Sequence, residues 1–326
     1  MKENNNFLTR HFNKIKKISN SKISKLSTHK EKLKDEYNWY KQLPSNLRKY
    51  TPAIFSFYEK DEYCEMIMEL IPFENSFQMI LNENKLETYL KLLTLFFDFL
   101  EEIKKTEKKK ENFDDILITE FIYKEKTIDR LKWINEEELL NGSFEKIIFN
   151  NKELLPFSSI ESEVFKLIDA LLINKSITSI VHGDFFLSNI LVSPQKEEIR
   201  VVDPRGRFSS KNVDIYGDLR YDIAKLSHSF RGHYDWIVAN KYWFKQTENR
   251  FELKEELILS HSDQKIIDEK FKSIVQDVFG VNYQEILLIE GLLFLTMIPL
   301  HAESMEHQKI FYLKAVEIFN KMLNKE

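Results

Sequence analysis

Residues 179–192, with the sequence SIVHGDFFLSNILV, set a short polar segment between two apolar, strand-like runs. His182 and Asp184 follow the first run, and Asn189 stands directly before the second. A third strand-like run, residues 199–202, ends in Asp203. Buried polar groups are costly unless they find partners. We therefore expect two adjacent strands, one ending in a carboxylate and an amide and the other in a single carboxylate.

These three side chains suit phosphoryl transfer. The reaction needs charge neutralisation on the β- and γ-phosphates and a carboxylate that orients the attacking hydroxyl. Mg²⁺ prefers one or two carboxylate or amide oxygens and leaves positions for phosphate and water. Asn189 and Asp203 are the candidate metal ligands, and Asp184 is the candidate base. In the alternative interpretation, Asp184 and Asn189 only cap a turn and Asp203 only ends a strand.

The first part of the chain reads as a small sheet with one helix. Residues 19–21 are expected to close a β-hairpin, and Ser27 or Thr28 is expected to cap a helix that ends before Pro44. One face of this helix carries apolar side chains that can pack on a sheet. The predicted strands are residues 12–18, 22–27, 53–58 and 63–70.

Beyond Pro72 the pattern changes to long helical periods, interrupted by the strands of residues 180–202. We expect a boundary near residues 72–84, with an N-terminal lobe of residues 1–75 and a larger lobe of residues 76–326. The predicted helices are residues 86–104, 115–140, 160–173, 264–278, 283–297 and 305–324.

Composition excludes several other classes. A net charge of −4 and a pI near 6.1 do not favour a nucleic-acid partner. The single cysteine, Cys64, permits no internal disulfide and no cysteine-based metal cluster, and its apolar run predicts a buried, inert thiol. The N-terminal residues lack the apolar core of a signal peptide, and residues 286–300 are too short to span a bilayer. These observations predict a cytoplasmic protein without a membrane partner.

The polar segment matches the H-x-D-x-x-x-x-N catalytic loop of kinases, with Gly183 where protein kinases have Arg. His-Gly-Asp resembles the aminoglycoside phosphotransferase and choline kinase superfamily. The segments VDPRG (202–206) and GDLRYDIAKL (217–226) are also similar to that superfamily, and DPRG with GDLRYDIAKLSHS resembles a subgroup encoded with bacterial surface-polysaccharide genes. The resemblance covers most of residues 28–315, but its specific motifs lie between 182 and 226.

The resemblance implies an α+β, protein-kinase-like two-lobe fold: a small antiparallel sheet lobe with one helix binds ATP or GTP, and a larger, mainly helical lobe carries catalysis and the acceptor site. It also implies Mg²⁺ and an ion pair between a strand Lys and a helix Glu. Lys25 and Glu36 are the candidates, with Lys17 and Lys22 as competitors for the Lys. Residues 68–72 resemble the hinge between lobes, where Glu69 and Ile71 would present backbone groups to the base from an edge strand. The small lobe contains no glycine-rich phosphate loop.

Other polar residues have roles that the sequence leaves open. His182 is expected to orient the loop, and Arg205 either contacts phosphate or substrate or forms a structural salt bridge. Asp222 is expected to cap a helix and to bond the catalytic loop; Asp218 and Arg220 either do the same or face substrate. A polar and aromatic group after that helix is the candidate acceptor site, where Tyr and Trp rings would suit a choline-like cation: His228, Arg231, His233, Tyr234, Asp235 and Trp236.

The resulting hypothesis is a small-molecule kinase that transfers the γ-phosphate of ATP or GTP to a sugar, polyol or amino alcohol. A protein kinase is disfavoured because no Ala-Pro-Glu segment follows Asp203. The alternative from another class is a non-catalytic nucleotide-binding or scaffold protein on the same fold. The missing glycine loop favours this alternative, whereas the presence of all three residues, Asp184, Asn189 and Asp203, argues against it.

Overall fold

The computed structural model describes residues 13–107, 112–173, 175–193, 195, 197–208, 214–256 and 258–324. Its first part is a four-stranded antiparallel sheet, in the order β1-β2-β4-β3, with one helix packed on it. The strands are β1 (Asn13–Lys17), β2 (Lys22–Ser27), β3 (Ile54–Glu59) and β4 (Cys64–Glu69), and the helix is α1 (Lys30–Gln42).

This small lobe follows the predicted order of elements. Leu33 and Tyr40 lie buried on one face of α1, two turns apart, as the apolar spacing indicates. The predicted helix start was wrong. His29 precedes the first turn without a side-chain cap, and the Ser27 hydroxyl instead accepts the His29 N–H at 3.2 Å.

The larger lobe is mainly helical, and short strands join its helices. It contains the helices α2 (Ser76–Glu83), α3 (Leu86–Lys104), α4 (Asn112–Thr119), α5 (Lys126–Leu131), α6 (Glu136–Leu140), α7 (Phe157–Leu171), α8 (Leu219–Phe230), α9 (Tyr234–Val238), α10 (His261–Asp277), α11 (Tyr283–Met297) and α12 (Met305–Leu323). Its strands are β5 (Glu74–Asn75), β6 (Ile147–Phe149), β7 (Lys152–Leu154), β8 (Thr178–Ile180), β9 (Ile190–Ser193), β10 (Glu198–Val201), β11 (Tyr216–Asp218), β12 (Tyr242–Thr247) and β13 (Arg250–Glu255).

Three further sheets belong to this lobe, in the orders β10-β9-β5, β11-β8 and β12-β13-β6-β7. The last of these was not predicted, because its strands are short and come from two distant parts of the chain. The expectation that the strand before His182 lies beside residues 199–202 was also wrong. β8 pairs with β11, and β10 pairs with β9.

Helix α11 forms the centre of the larger lobe. The segment Tyr283–His301 is long and apolar enough to cross a membrane by length and composition, but 72% of its most apolar window is buried inside the protein. It packs between α8 and α12, so its apolar surface on all sides is explained by a core position. Cys64 is likewise fully buried, and burial raises the pKa of its thiol, in agreement with an inert side chain.

Candidate active site

The loop after β8 carries His182, Gly183 and Asp184, and its backbone is held by a single carboxylate. Asp222, in the first turn of α8, accepts the N–H of His182 at 2.6 Å and the N–H of Gly183 at 2.7 Å. Gly183 has a φ of 82°, and a Cβ there would clash with the ring of Phe208. The turn therefore requires glycine and fixes the direction of Asp184.

His182 is part of the scaffold of this loop. It is fully buried, its ring packs edge-on against Trp39, and its Nδ1 accepts the Asp184 N–H at 3.3 Å. Burial lowers the pKa of His182 to about 4, so the imidazole is neutral near neutral pH. Trp39 donates its indole N–H to the Val181 carbonyl at 2.8 Å and so ties α1 to the catalytic loop. The sequence analysis did not identify this contact.

Asn189 lies next to Asp184 at the end of a 3₁₀ turn, Leu187–Asn189. Its side-chain N–H donates to the Asp184 carbonyl at 3.0 Å, which leaves the amide oxygen for another ligand. The Val202 N–H donates to the Asn189 carbonyl at 3.0 Å, and this bond brings Asp203 to the same place. Convergence of the three predicted residues is thus achieved through the loop rather than through pairing of β8 with β10.

Lys25 connects the small lobe to this group. Its ammonium lies 2.6 Å from Glu36 Oε2 and 2.7 Å from Asp203 Oδ1, with only 2% of the residue exposed. The structure therefore brings together the Lys and the Glu chosen from the sequence. The competitors lie elsewhere: Lys17 is exposed on β1, and Lys22 packs against the ring of Phe55.

The two carboxylates that contact Lys25, Glu36 and Asp203, have pKa values shifted in opposite directions. Burial raises the pKa of Glu36 to about 7, although Lys25 opposes the shift. Burial acts the same way on Asp203, but Lys25 outweighs it and holds the pKa of that carboxyl below its usual value. Two carboxylates therefore share one ammonium, and Asp203 keeps 45% of its side chain exposed. Together with the free amide oxygen of Asn189, this oxygen donor set fits Mg²⁺.

The segment after Asp203 is fastened to the small lobe, a feature that the sequence analysis missed. Arg207 forms a two-pronged ion pair with Asp35 of α1, with both nitrogen–oxygen distances at 3.0 Å. Gly206, with a φ of 76°, lies so close to the backbone of Asp35 that a Cβ would clash with its carbonyl oxygen. Asp203 itself adopts a left-handed φ of 59°. The metal-ligand candidate is thus held between both lobes.

Helix α8 supplies the scaffold beneath the loop. The sequence predicted Asp222 as the N-cap of this helix, but the N-cap is Asp218, whose carboxylate accepts the Arg220 N–H at 3.1 Å. Both Asp218 and Arg220 are buried, and Arg220 also pairs with Glu285 at 2.8 Å. Of the two roles left open for Asp218 and Arg220, the structure shows the structural one.

The candidate acceptor group of aromatic residues is packed in the core. Tyr234 and Trp236 are buried, and Trp236 packs edge-on against Phe77. With these two rings in the core, the structure gives no support to an aromatic cage for a choline-like acceptor. His233 Nδ1 lies 3.3 Å from Glu255 Oε1. Asp235 accepts the Ser188 backbone N–H at 3.1 Å, and thereby supports the turn that carries Asn189.

The hinge is also different from the expectation. β4 is an inner strand, and the Glu69 backbone N–H donates to the Ala53 carbonyl at 2.9 Å. The Glu69 amide is therefore occupied and is not offered to a nucleotide base. The Glu69 carbonyl and the backbone of Ile71, beyond the end of β4, remain candidates for that contact.

An antiparallel sheet with a buried Lys–Glu pair, joined to a helical lobe with an H-G-D-x-x-x-x-N loop, defines a protein-kinase-like two-lobe fold. Among solved structures, the chain is similar to aminoglycoside phosphotransferase APH(4)-Ia (TM-score 0.53, 11% identity over 94% of this chain and 92% of that chain).

A thermostable mutant of that enzyme in complex with AMP-PNP and hygromycin B gives a TM-score of 0.55 at 10% identity, and another with ADP and hygromycin B gives 0.56 at 11%, each covering 94% of this chain and 92% of the other. No protein-family model and no curated protein sequence matches the chain. The similarity confirms the expected fold, which is that of the aminoglycoside phosphotransferases.

Proposed function

We propose that this protein is a Mg²⁺-dependent phosphotransferase that moves the γ-phosphate of ATP or GTP to a hydroxyl of a small molecule. The observation that carries the proposal is the contact of Lys25 with both Glu36 and Asp203 beside a loop that presents Asp184 and Asn189. Structures with the same fold contain AMP-PNP or ADP together with hygromycin B, a hydroxyl-bearing compound, which supports a nucleotide and a small acceptor.

Each residue has a defined part in the proposed reaction. Asp184, with 30% of its side chain exposed, orients the acceptor hydroxyl and takes its proton. Lys25, held by Glu36, positions the α- and β-phosphates. Asn189 and Asp203 would hold the metal ion, which supplies charge neutralisation on the phosphate oxygens. Residues 1–75 would form the nucleotide lobe, and residues 76–326 would supply catalysis and the acceptor site.

The acceptor is the second part of the proposal. We infer a sugar, polyol or amino alcohol, and the DPRG and GDLRYDIAKLSHS segments favour a cytoplasmic step in surface-polysaccharide synthesis. The second candidate function is a non-catalytic nucleotide-binding scaffold. It is favoured by the β1–β2 turn, Ser19–Ser21, which carries no glycine to approach the phosphates closely.

The first experiment measures transfer of labelled γ-phosphate from ATP, and separately from GTP, into pooled sugars, polyols and amino alcohols with Mg²⁺. Asp184→Asn keeps the size of the side chain and removes its basicity. We expect it to abolish transfer, with a loss of at least about a hundredfold, while nucleotide binding is kept.

A product formed equally by Asp184→Asn would show that the base is assigned wrongly. Nucleotide binding without transfer to any compound in the pool would favour the scaffold. Asp203→Ala is the companion variant, because loss of a metal ligand weakens binding of the Mg-nucleotide as well as turnover.

A further inference from the structure

Three cationic side chains surround one phenol, and one of the three contacts Asp184. We call this group, Lys126, Arg205, Lys225 and Tyr221, the cationic cluster. Tyr221 and Lys225 are four residues apart on α8, which places them on one face of the helix. Lys126 begins α5, and Arg205 lies in the segment after Asp203.

Direct contacts connect the cluster to the catalytic loop. The Lys225 ammonium, with 3% of its side chain exposed, lies 3.2 Å from Asp184 Oδ1. Lys126 Nζ donates to the Tyr221 hydroxyl at 3.0 Å. Burial raises the pKa of Tyr221, but Lys126, Lys225 and Arg205 outweigh burial and lower it to about 8. All three cations therefore act on one hydroxyl.

Lys225 is paired with Asp184, but the other two cations of the cluster have no carboxylate partner among the residues that the structure describes. Within the described ranges, neither Lys126 nor Arg205 forms an ion pair with a carboxylate. Burial lowers the pKa of Lys126 to about 8, and the charges of Arg205 and Lys225 act in the same direction. Lys126 and Arg205 are half-buried, and a cation that is partly removed from water without a counterion is destabilising. By contrast, the buried Arg220 of the same helix has two carboxylate partners, Asp218 and Glu285.

The backbone before Lys126 is also unusual. A π-helical turn, Glu120–Glu125, interrupts the helix between α4 and α5 and ends directly before Lys126. Such turns are less favourable than α-helix and occur frequently at functional sites. Lys126 follows this turn directly, and its ammonium reaches Tyr221 on α8.

We propose that the acceptor carries an anionic oxygen group, a phosphate or a carboxylate, and that the two partly exposed members of the cationic cluster, Lys126 and Arg205, bind this group while Asp184 orients the hydroxyl. This inference rests on the proposed phosphotransferase function and narrows its acceptor to anionic compounds, such as a sugar phosphate or a sugar acid. Amine-bearing acceptors are excluded because their charge is repelled by Lys126 and Arg205. Lys126 and Arg205 are specificity-determining residues, since each leaves its charge available to a ligand.

The test uses the full chain saturated with Mg·AMP-PNP, so that the nucleotide site is filled. Inorganic phosphate, glucuronate, glucose and glucosamine are titrated separately by calorimetry at millimolar concentrations. We expect phosphate or glucuronate to bind and glucose and glucosamine not to bind, and the stronger of the two anions identifies the group. Lys126→Met should weaken anion binding roughly tenfold to a hundredfold, because it removes a charge-assisted hydrogen bond.

Lys124→Met is the matched control. Lys124 lies two residues earlier and makes an exposed ion pair with Asp169 at 2.7 Å, so its loss should leave anion binding unchanged. If Lys126→Met fails to fold, Tyr221→Phe removes the hydroxyl and keeps the ring, and it should weaken anion binding several-fold.

Three results would overturn the inference: no anion binding to the wild type, equal anion binding by Lys126→Met, or a weakened affinity for AMP-PNP in place of the anion. The last would assign the cluster to the nucleotide. Failure of the wild type to bind AMP-PNP is read separately, in the first titration, and contradicts the proposed phosphotransferase function.

Discussion

Lys25 shows how one residue can serve both structure and chemistry. Its ammonium balances the buried Glu36 and also contacts Asp203, whose side chain stays partly exposed. A metal ion at Asp203 would compete with Lys25 for that carboxylate, whereas the contact with Glu36 would persist. Loss of Lys25 therefore has two consequences that can be measured apart: an unpaired buried carboxylate and a missing contact to phosphate.

We expect Lys25→Met to lower stability by about 3 to 5 kcal/mol, because it leaves Glu36 buried without a partner. The double variant Lys25→Met with Glu36→Gln should recover most of that stability, as measured by urea unfolding, but not the affinity for nucleotide. Recovery of both would mean that Lys25 acts only through folding.

Lys34→Met supplies the comparison in the same lobe. It breaks an exposed ion pair with Glu59 at 2.7 Å, and such pairs contribute little. Stability and nucleotide affinity should both stay close to those of the wild type.

At the scale of elements, the catalytic loop is positioned by two neighbours, α1 and α8. Helix α8 holds the loop through Asp222. Helix α1 holds the start of the loop through Trp39, which bonds Val181, and holds the segment after Asp203 through Asp35. Because α1 also carries Glu36, a displacement of α1 would disturb Lys25, Asp203 and the catalytic loop together. The close contact at Gly206 is the point where this coupling is tightest.

Gly206→Ala should lower activity by about a hundredfold, since the added methyl group clashes with the Asp35 carbonyl and drives the segment off α1. The positive φ of 76° adds roughly 1 kcal/mol of backbone strain, measured in thermal unfolding.

Gly280→Ala isolates the effect of backbone strain: the φ of Gly280 is 68°, yet nothing lies within 4 Å of the added Cβ. Gly280→Ala should lose a similar amount of strain-related stability and keep full activity. Equal activity of both variants would show that contact with α1 does not matter for the site.

At the scale of the whole molecule, stability is expected to depend on pH through its buried ionisable groups. His228, packed between Tyr234 and Phe294, has no hydrogen-bond partner for either ring nitrogen in the described residues, and burial holds its pKa well below the usual value. A histidine in the unfolded chain has a pKa of about 6.5, so below that pH the unfolded chain binds more protons than the folded protein. This group therefore removes stability as the pH falls.

His228→Leu should flatten this acid dependence. Between pH 7 and pH 5 the variant should lose up to about 2 kcal/mol less than the wild type, as measured by urea unfolding at both pH values. Glu36 and Asp222 act in the opposite direction, because burial raises the pKa of each to about 7 and their folded forms take up protons as the pH falls. Both residues are present in the variant and in the wild type, so their contribution cancels when the two unfolding free energies are subtracted. If the variant and the wild type lost the same unfolding free energy between pH 7 and pH 5, His228 would be shown to take up its proton in the folded protein as well.

The local features of this protein were readable from the sequence alone. The spacing from His182 to Asp203 predicted the catalytic loop, and short-range periodicity predicted the β1–β2 hairpin, α1 and the long helices. Lys25 and Glu36 were selected because the family resemblance implied an ion pair between a strand Lys and a helix Glu, and each stands at the right place in a neighbouring strand and helix. These features depend on residues close together in the chain, where backbone geometry limits the arrangements that are possible.

Only the tertiary structure decided which of many similar side chains share a site. Lys126 and Lys225 are ordinary lysines in the sequence, and Tyr234 and Trp236 are as compatible with an open pocket as with the core they occupy. The pairing of β13 with β6 and of Arg207 with Asp35 joins residues about a hundred or more positions apart. Such contacts are determined by the packing of the whole chain, because no local pattern records which distant partner a charge or a short strand will meet.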